Sequence, residues 1–253
     1  MGKQGWAVAF TLVLAAGLGL ASCAQAADVA VLDSERTAQW YSDLGWDYQA
    51  DMAVLHGVLD KAGISYQDIT VADLEAGNLG DAKLLILPHT RRMSAAEVQA
   101  VKDFLAQGGR LFALGQASFR DENNAKTRPE SYQLADELGI SWVTWSGNAP
   151  LHGYAKVVVA DHPIFAGLPD QIRFPRNEAM VVQVYNGGKI LAEWYDDDQS
   201  TPSEPDPAQN GAIIEGPAGN TIYVGDMLFI PGGADQPELQ KLCINIIQYL
   251  LNK

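Results

Sequence analysis

Short apolar runs alternate with stretches of helical spacing along the first half of the chain. Residues 28–33 (DVAVLD) form an apolar run that predicts a buried strand, and 64–69 and 83–87 predict two more, the last stopped by Pro88. An aromatic-rich loop is expected after the first strand, carrying Trp40, Tyr41, Trp46 and Tyr48. Met52, Leu55, Val58 and Leu59 then recur at helical spacing up to Gly63, a residue suited to the left-handed position that ends a helix. Ser94 and Glu97 form a capping box before a helix with Val98, Val101, Phe104 and Leu105 inward. Gly108 and Gly109 stop that helix, and 110–114 is a further strand. Near-continuous apolar strands joined through helices predict a parallel sheet covered on both faces.

The second half has a different texture. After a polar loop over 116–128, a helix is expected from Pro129 to Gly139, then strands near 141–145 and 156–160. Runs at 190–194, 211–215 and 221–224 suggest antiparallel pairing, the last two joined by the turn 217–220. Pro237 opens a final helix whose stripe is Leu239, Leu242, Cys243, Ile246, Ile247 and Leu250. The expected fold class is therefore α/β: a flavodoxin-like, mostly parallel sheet with helices on both faces and antiparallel C-terminal additions. Residues 28–253 are read as one domain.

Residues 1–22 fall outside that domain. Lys3 precedes an uncharged apolar run from Trp6 to Leu20, shorter than the about 20 residues of a membrane span and suited to an export signal. Leu20-Ala21-Ser22-Cys23 resembles the lipobox of bacterial lipoproteins, which makes Cys23 the lipidated residue and the membrane anchor. The alternative is ordinary cleavage after Ala26, within Ala24-Gln25-Ala26. The expected location is the bacterial periplasm or a membrane-anchored lipoprotein. Only Cys23 and Cys243 occur, so processing leaves one thiol and no intrachain disulfide.

Charge narrows the partners. Seventeen basic against 31 acidic residues give −14, a surface that repels phosphate backbones and argues against nucleic acid. The four histidines, His56, His89, His152 and His162, show no zinc spacing. Asp196-Asp197-Asp198 with Glu204 and Asp206 lacks the alternation of a calcium loop. Neither a metal nor a cofactor is expected.

In open α/β sheets, ligands bind beyond the carboxyl ends of the strands, at the switch point. Three loops should meet there, at 33–36, 88–92 and 115–118. They supply Asp33, Arg36, His89, Arg91 and Gln116 as candidate ligand-binding residues, with Trp40 and Trp46 from the aromatic segment. Aromatic faces flanked by carboxylates suit sugar rings, and Trp142 and Trp145 could extend such a surface; the alternative is that these rings cover the core. Ser118 with His89 as base and Glu35 or Asp33 as orienting group has the residue types of a hydrolytic triad. No Gly-x-Ser-x-Gly elbow surrounds Ser118, however.

Leu84-Leu85-Ile86-Leu87-Pro88, the capped helix from Ser94, and the run 104–111 (FLAQGGRL) together resemble the class I glutamine amidotransferase-like superfamily. The resemblance is to its non-catalytic branch, found as the trimerisation domain of some bacterial β-galactosidases. The run 162–169 (HPIFAGLP) is similar to a segment of trehalose-utilisation-type members. The resemblance implies a flavodoxin-like fold, a link to carbohydrate and self-association into a homo-oligomer. Active members carry a cysteine after the fourth strand and a late His-x-Glu pair. Here that turn reads Leu114-Gly115-Gln116-Ala117-Ser118, and His162 is followed by Pro163 and Ile164, so glutamine hydrolysis is not expected. What remains is an exported, non-catalytic module that binds a glycan, a small molecule or a partner protein; the alternative is a hydrolase using His89 and Ser118.

Overall fold

The computed structural model describes residues 27–145, 152–174, 179–196 and 206–253. The export segment with Cys23 and most of the acidic run after Asp196 lie outside these residues. The N-terminal half runs β1 (Val29–Asp33), α1 (Glu35–Leu44), α2 (Tyr48–Ala62), β2 (Tyr66–Thr70), α3 (Val71–Glu75), β3 (Leu84–Leu87), α4 (Ala95–Ala106) and β4 (Arg110–Leu114). The C-terminal half adds α5 (Ala135–Leu138), β5 (Ile140–Trp145), β6 (His152–Val157), β7 (Gln171–Arg173) and β8 (Met180–Val184). It ends with β9 (Lys189–Asp196), β10 (Gly211–Glu215), β11 (Thr221–Val224) and α6 (Pro237–Leu251).

The strands join one sheet in the order β2-β1-β3-β4-β11-β10-β9-β6-β7, with β8 touching β10 and carrying β5 on its far side. β2, β1, β3, β4 and β11 are mutually parallel, which is the flavodoxin-like order. β11 is the hinge of the architecture, because its other edge pairs antiparallel with β10. From there outward all pairing is antiparallel.

Alternation along the strands loads both faces. Val29, Val31, Leu84, Ile86, Phe112 and Leu114 pack with α1, α2 and α6 on one side. Ala30, Leu32, Leu85, Leu87, Leu111 and Ala113 pack with α3, α4 and α5 on the other. The two clusters explain why these strands carry no polar interruption. Cys243 lies fully buried in α6, and burial pushes its thiol up, away from a reactive thiolate.

Three expectations are corrected. The aromatic-rich segment after β1 is helical, not a loop. The Ser34 hydroxyl accepts from Thr37 N at 3.3 Å and Gly45 takes the left-handed position at φ 72°. Asp47 then caps α2 by accepting from Ala50 N at 3.1 Å. The helix expected over 129–139 shrinks to α5, because tertiary hydrogen bonds claim the backbone before it. Gln133 N donates to Ser118 O at 2.8 Å, Leu134 N donates to Ser118 Oγ at 3.2 Å, and Ser131 adopts φ 72°. The strand expected at 156–160 lies earlier, at 152–157, and β7, β8 and α3 had no counterpart in the sequence reading.

The segment at 162–168 forms a 3-10 turn over Pro163–Phe165, tied to α6 by Asn245, which donates to Ile164 O at 3.0 Å. His162 stands 3.8 Å from Glu215. Glu215 is opposite Ile222, near the start of β11, so this pair sits at the amino end of the parallel strands, away from the crevice.

The capping box at α4 is complete: Glu97 N donates to Ser94 Oγ at 3.1 Å and Ser94 N to Glu97 Oε2 at 2.6 Å. Ser94→Ala should therefore lower unfolding free energy by about 1 kcal/mol, read as a shifted denaturant midpoint with unchanged m-value.

Candidate functional site

Four parallel strands end side by side at Asp33, Leu87, Leu114 and Val224, and the loops that follow are bonded to one another. Gly115 N donates to Val224 O at 2.8 Å, Ser118 N to Thr90 O at 2.8 Å, and Arg120 N to Arg91 O at 2.9 Å. The loops after β3 and β4 thus run as a short parallel extension of the sheet, closed by the bridge between Arg92 and Arg120.

His89 and Gly115 form the tightest point. Both have positive φ, 54° and 53°. A Cβ on residue 115 would stand 2.3 Å from His89 Nδ1, so only glycine fits. Gln116 N donates to that same Nδ1 at 3.3 Å, which makes it the unprotonated nitrogen of the ring in this bond. The Gly115 carbonyl accepts from Tyr223 Oη at 2.7 Å and from Tyr132 Oη at 3.2 Å, the two hydroxyls lying 2.8 Å apart. Burial holds both phenols protonated, far above their ordinary range.

This corner has no exposed nucleophile. Ala117 and Ser118 are both fully buried, and the Ser118 hydroxyl accepts from Leu134 N. Ser118 also sits at φ 63°, held there by bonds to two other segments. Of the expected triad, Glu35 is exposed on the first turn of α1, Asp33 is half-buried at the end of β1, and Ser118 is buried beneath the loop. The Gly225–Met227 turn after β11 is equally buried.

The aromatic residues divide into two groups. Trp40 is only 8% exposed and stacks on His89, centroids 5.4 Å apart and planes 20° apart. Trp46 packs edge-on against Trp40 and Tyr41 but stays partly open to solvent. It forms one wall of a groove of about 430 Å³ with Tyr41, Asp47 and Asp51, whose opposite wall is Ile230, Pro231 and Gly232. Tyr41 Oη donates to Asp51 Oδ2 at 2.8 Å. At its inner end Tyr41 and Asp51 also line a narrow cleft that reaches His89, Met227 and Phe229. Rings, carboxylates and a volume in the usual ligand range meet here.

The remaining candidates are placed as follows. Asp33 is half-buried at the end of β1, beside Tyr48, whose hydroxyl accepts from Ser34 N at 3.1 Å. Gln116 is buried under the loop and its side-chain oxygen has no partner. Arg36 is turned inward as a counter-ion: it bonds Glu97, whose side chain has no exposed area, and lies 3.9 Å from Glu75. Arg91 lies over Trp40 at 5.1 Å and Phe119 at 5.6 Å. Trp142 packs on Phe119, on the opposite face of the sheet from Trp46, so it does not extend the groove. Asp51 and the 230–232 wall were missed from sequence because β11 reads as antiparallel. Its parallel edge with β4 is what carries the following loop to the crevice.

Fold and site define a flavodoxin-like α/β protein whose turn after β4 is a sealed, hydrogen-bonded corner. No family model matches the chain, and no curated protein does. Solved structures do. β-Galactosidase from Bacillus circulans sp. alkalophilus superimposes with TM-score 0.66 at 19% identity, over 89% of this chain and 31% of that one. Alpha-L-fucosidase isoenzyme 2 from Paenibacillus thiaminolyticus gives 0.61 at 17%, over 90% and 33%. A ThuA-like protein from Bacteroides uniformis gives 0.59 at 14%, over 91% of this chain and 94% of that one. The chain therefore spans about a third of the two glycosidases and nearly all of the ThuA-like protein. At these identities the likeness establishes the shared fold.

Burial raises the Glu97 carboxyl above its ordinary value, opposed by the Ser94 amide and Arg36. Arg36→Ala should cost about 2 kcal/mol at pH 7, since it strands a buried carboxylate. A carboxyl raised in the fold favours the folded state when protonated, so the loss should shrink as pH falls toward 4.5, the ordinary value. Glu97→Gln in the same background should recover part of it, measured by urea unfolding at both pH values.

Proposed function

We propose that the chain is an exported, non-catalytic amidotransferase-like module of the cell envelope that binds a carbohydrate in the groove between Trp46 and Pro231. The observation that carries this reading is the pairing of Trp46 and Tyr41 with Asp47 and Asp51 around about 430 Å³. A ring face stacks on the C–H side of a sugar while carboxylates accept from its hydroxyls, and partial exposure leaves Trp46 free to do so. The glycosidase names among the structural neighbours point the same way. The chemistry of the β4 corner supports binding without turnover, because a buried, hydrogen-bonded Ser118 offers a substrate no attacking oxygen. The hydrolase alternative therefore has no specific observation behind it. Lipidation at Cys23 would tether the module to the membrane surface, and self-association is proposed from the family resemblance.

The test is thermal unfolding of the purified protein against neutral mono- and oligosaccharides. A sugar at about 100 times its dissociation constant should add about 2.7 kcal/mol of stability. Trp46→Ala should abolish the shift while leaving the unliganded melting temperature within a few degrees. Absence of a shift with every sugar, or a shift that survives Trp46→Ala, overturns the reading.

A further inference from the structure

Arg91, Arg92 and Arg120 stand together at the carboxyl end of β3 and β4. Arg120 lies 3.8 Å from the Phe119 ring centre and Arg91 5.6 Å from it, while the backbones of Arg92 and Arg120 are bridged. By contrast, Arg36 and Arg128 each face two carboxylates. Among the described residues, Arg91, Arg92 and Arg120 form no ion pair. Their side-chain bonds are to neutral oxygens, Arg91 to Asn124 Oδ1 at 3.4 Å and Arg120 to its neighbour's carbonyl at 2.7 Å. The Nε atoms of Arg91 and Arg92 are buried with no acceptor at all.

Such a cluster is costly to hold. The net charge of −14 does not substitute for a bonded partner, since distant exposed carboxylates are screened at physiological salt. Burial and the repulsion of Arg120 and Arg92 lower Arg91 to about 10, the mark of a cation without a counter-ion. The rings of Trp40 and Phe119 hold the guanidinium of Arg91 in place, and the three arginines remain half-exposed. Such donors suit an acceptor with several oxygens and negative charge.

We propose that Arg91, Arg92 and Arg120 form an anion-binding site that takes the carboxylate or phosphate group of a small ligand. Planar guanidinium forks match either group through paired hydrogen bonds. The site adjoins the sugar groove through Trp40 but uses different side chains, so it stands without the groove reading.

Calorimetric titration of the purified protein with inorganic phosphate, with glucuronate and with glucose as the neutral control tests it. One of the two anions should bind saturably, and which one does separates a phosphate from a carboxylate ligand; glucose should give no signal that depends on the arginines. Arg91→Gln and Arg120→Gln should each weaken anion binding about tenfold or more, the loss of one charge-assisted pair, and Trp46→Ala should not. On the unaltered protein, the bound anion should slow phenylglyoxal modification of Arg91 and Arg120, located by peptide mass spectrometry; this readout stands even where a variant folds poorly. No saturable binding of either anion overturns the proposal. So does binding that is unchanged in both arginine variants, or modification of Arg91 and Arg120 at the same rate with anion present. Failure of the sugar groove alone would leave anion binding intact.

Discussion

The close approach of the His89 ring to Gly115 governs the end of the sheet where ligands are expected. Two adjacent parallel strands finish within reach of each other, and the ring fills the space a side chain on residue 115 would need. Both residues take a left-handed backbone to do so, free for glycine but for His89 a strain that persists only where surrounding bonds over-determine it. Those bonds are present: the Gly115 amide donates to β11, its carbonyl accepts from two tyrosines, and the next amide donates to the histidine. The loops beyond inherit their register from this corner.

The turn after β4 is closed by hydrogen bonds and buried beneath Tyr132, Gln133 and Leu134. What stays open lies at either side of Trp40: toward Trp46 a groove with carboxylates, toward Phe119 a set of unneutralised arginines. Trp40 itself packs against both His89 and Arg91. One buried ring thereby couples the strained corner to two surfaces of opposite charge, on a chain whose overall charge is strongly negative. Electrostatic focusing of this kind is local, because screening removes the distant carboxylates from the balance.

Much was determined by the sequence alone. Continuous apolar runs at β1, β3 and β4 announced strands buried on both faces, and the Ser94–Glu97 box and Gly63 placed helix ends to within a residue. These are local signals, set by side-chain hydrogen bonds and backbone strain within one turn. His89, Arg91 and Trp46 were legible as candidates because strand ends in a parallel sheet converge. Tertiary structure decided the rest. Whether 129–134 is helix depended on Ser118, distant along the chain, claiming its amides. Whether Arg36 met ligand or protein depended on a buried Glu97 sixty-one positions away. The groove's far wall followed from β11, a strand that is parallel on one edge and antiparallel on the other, a choice no periodicity in four residues can encode.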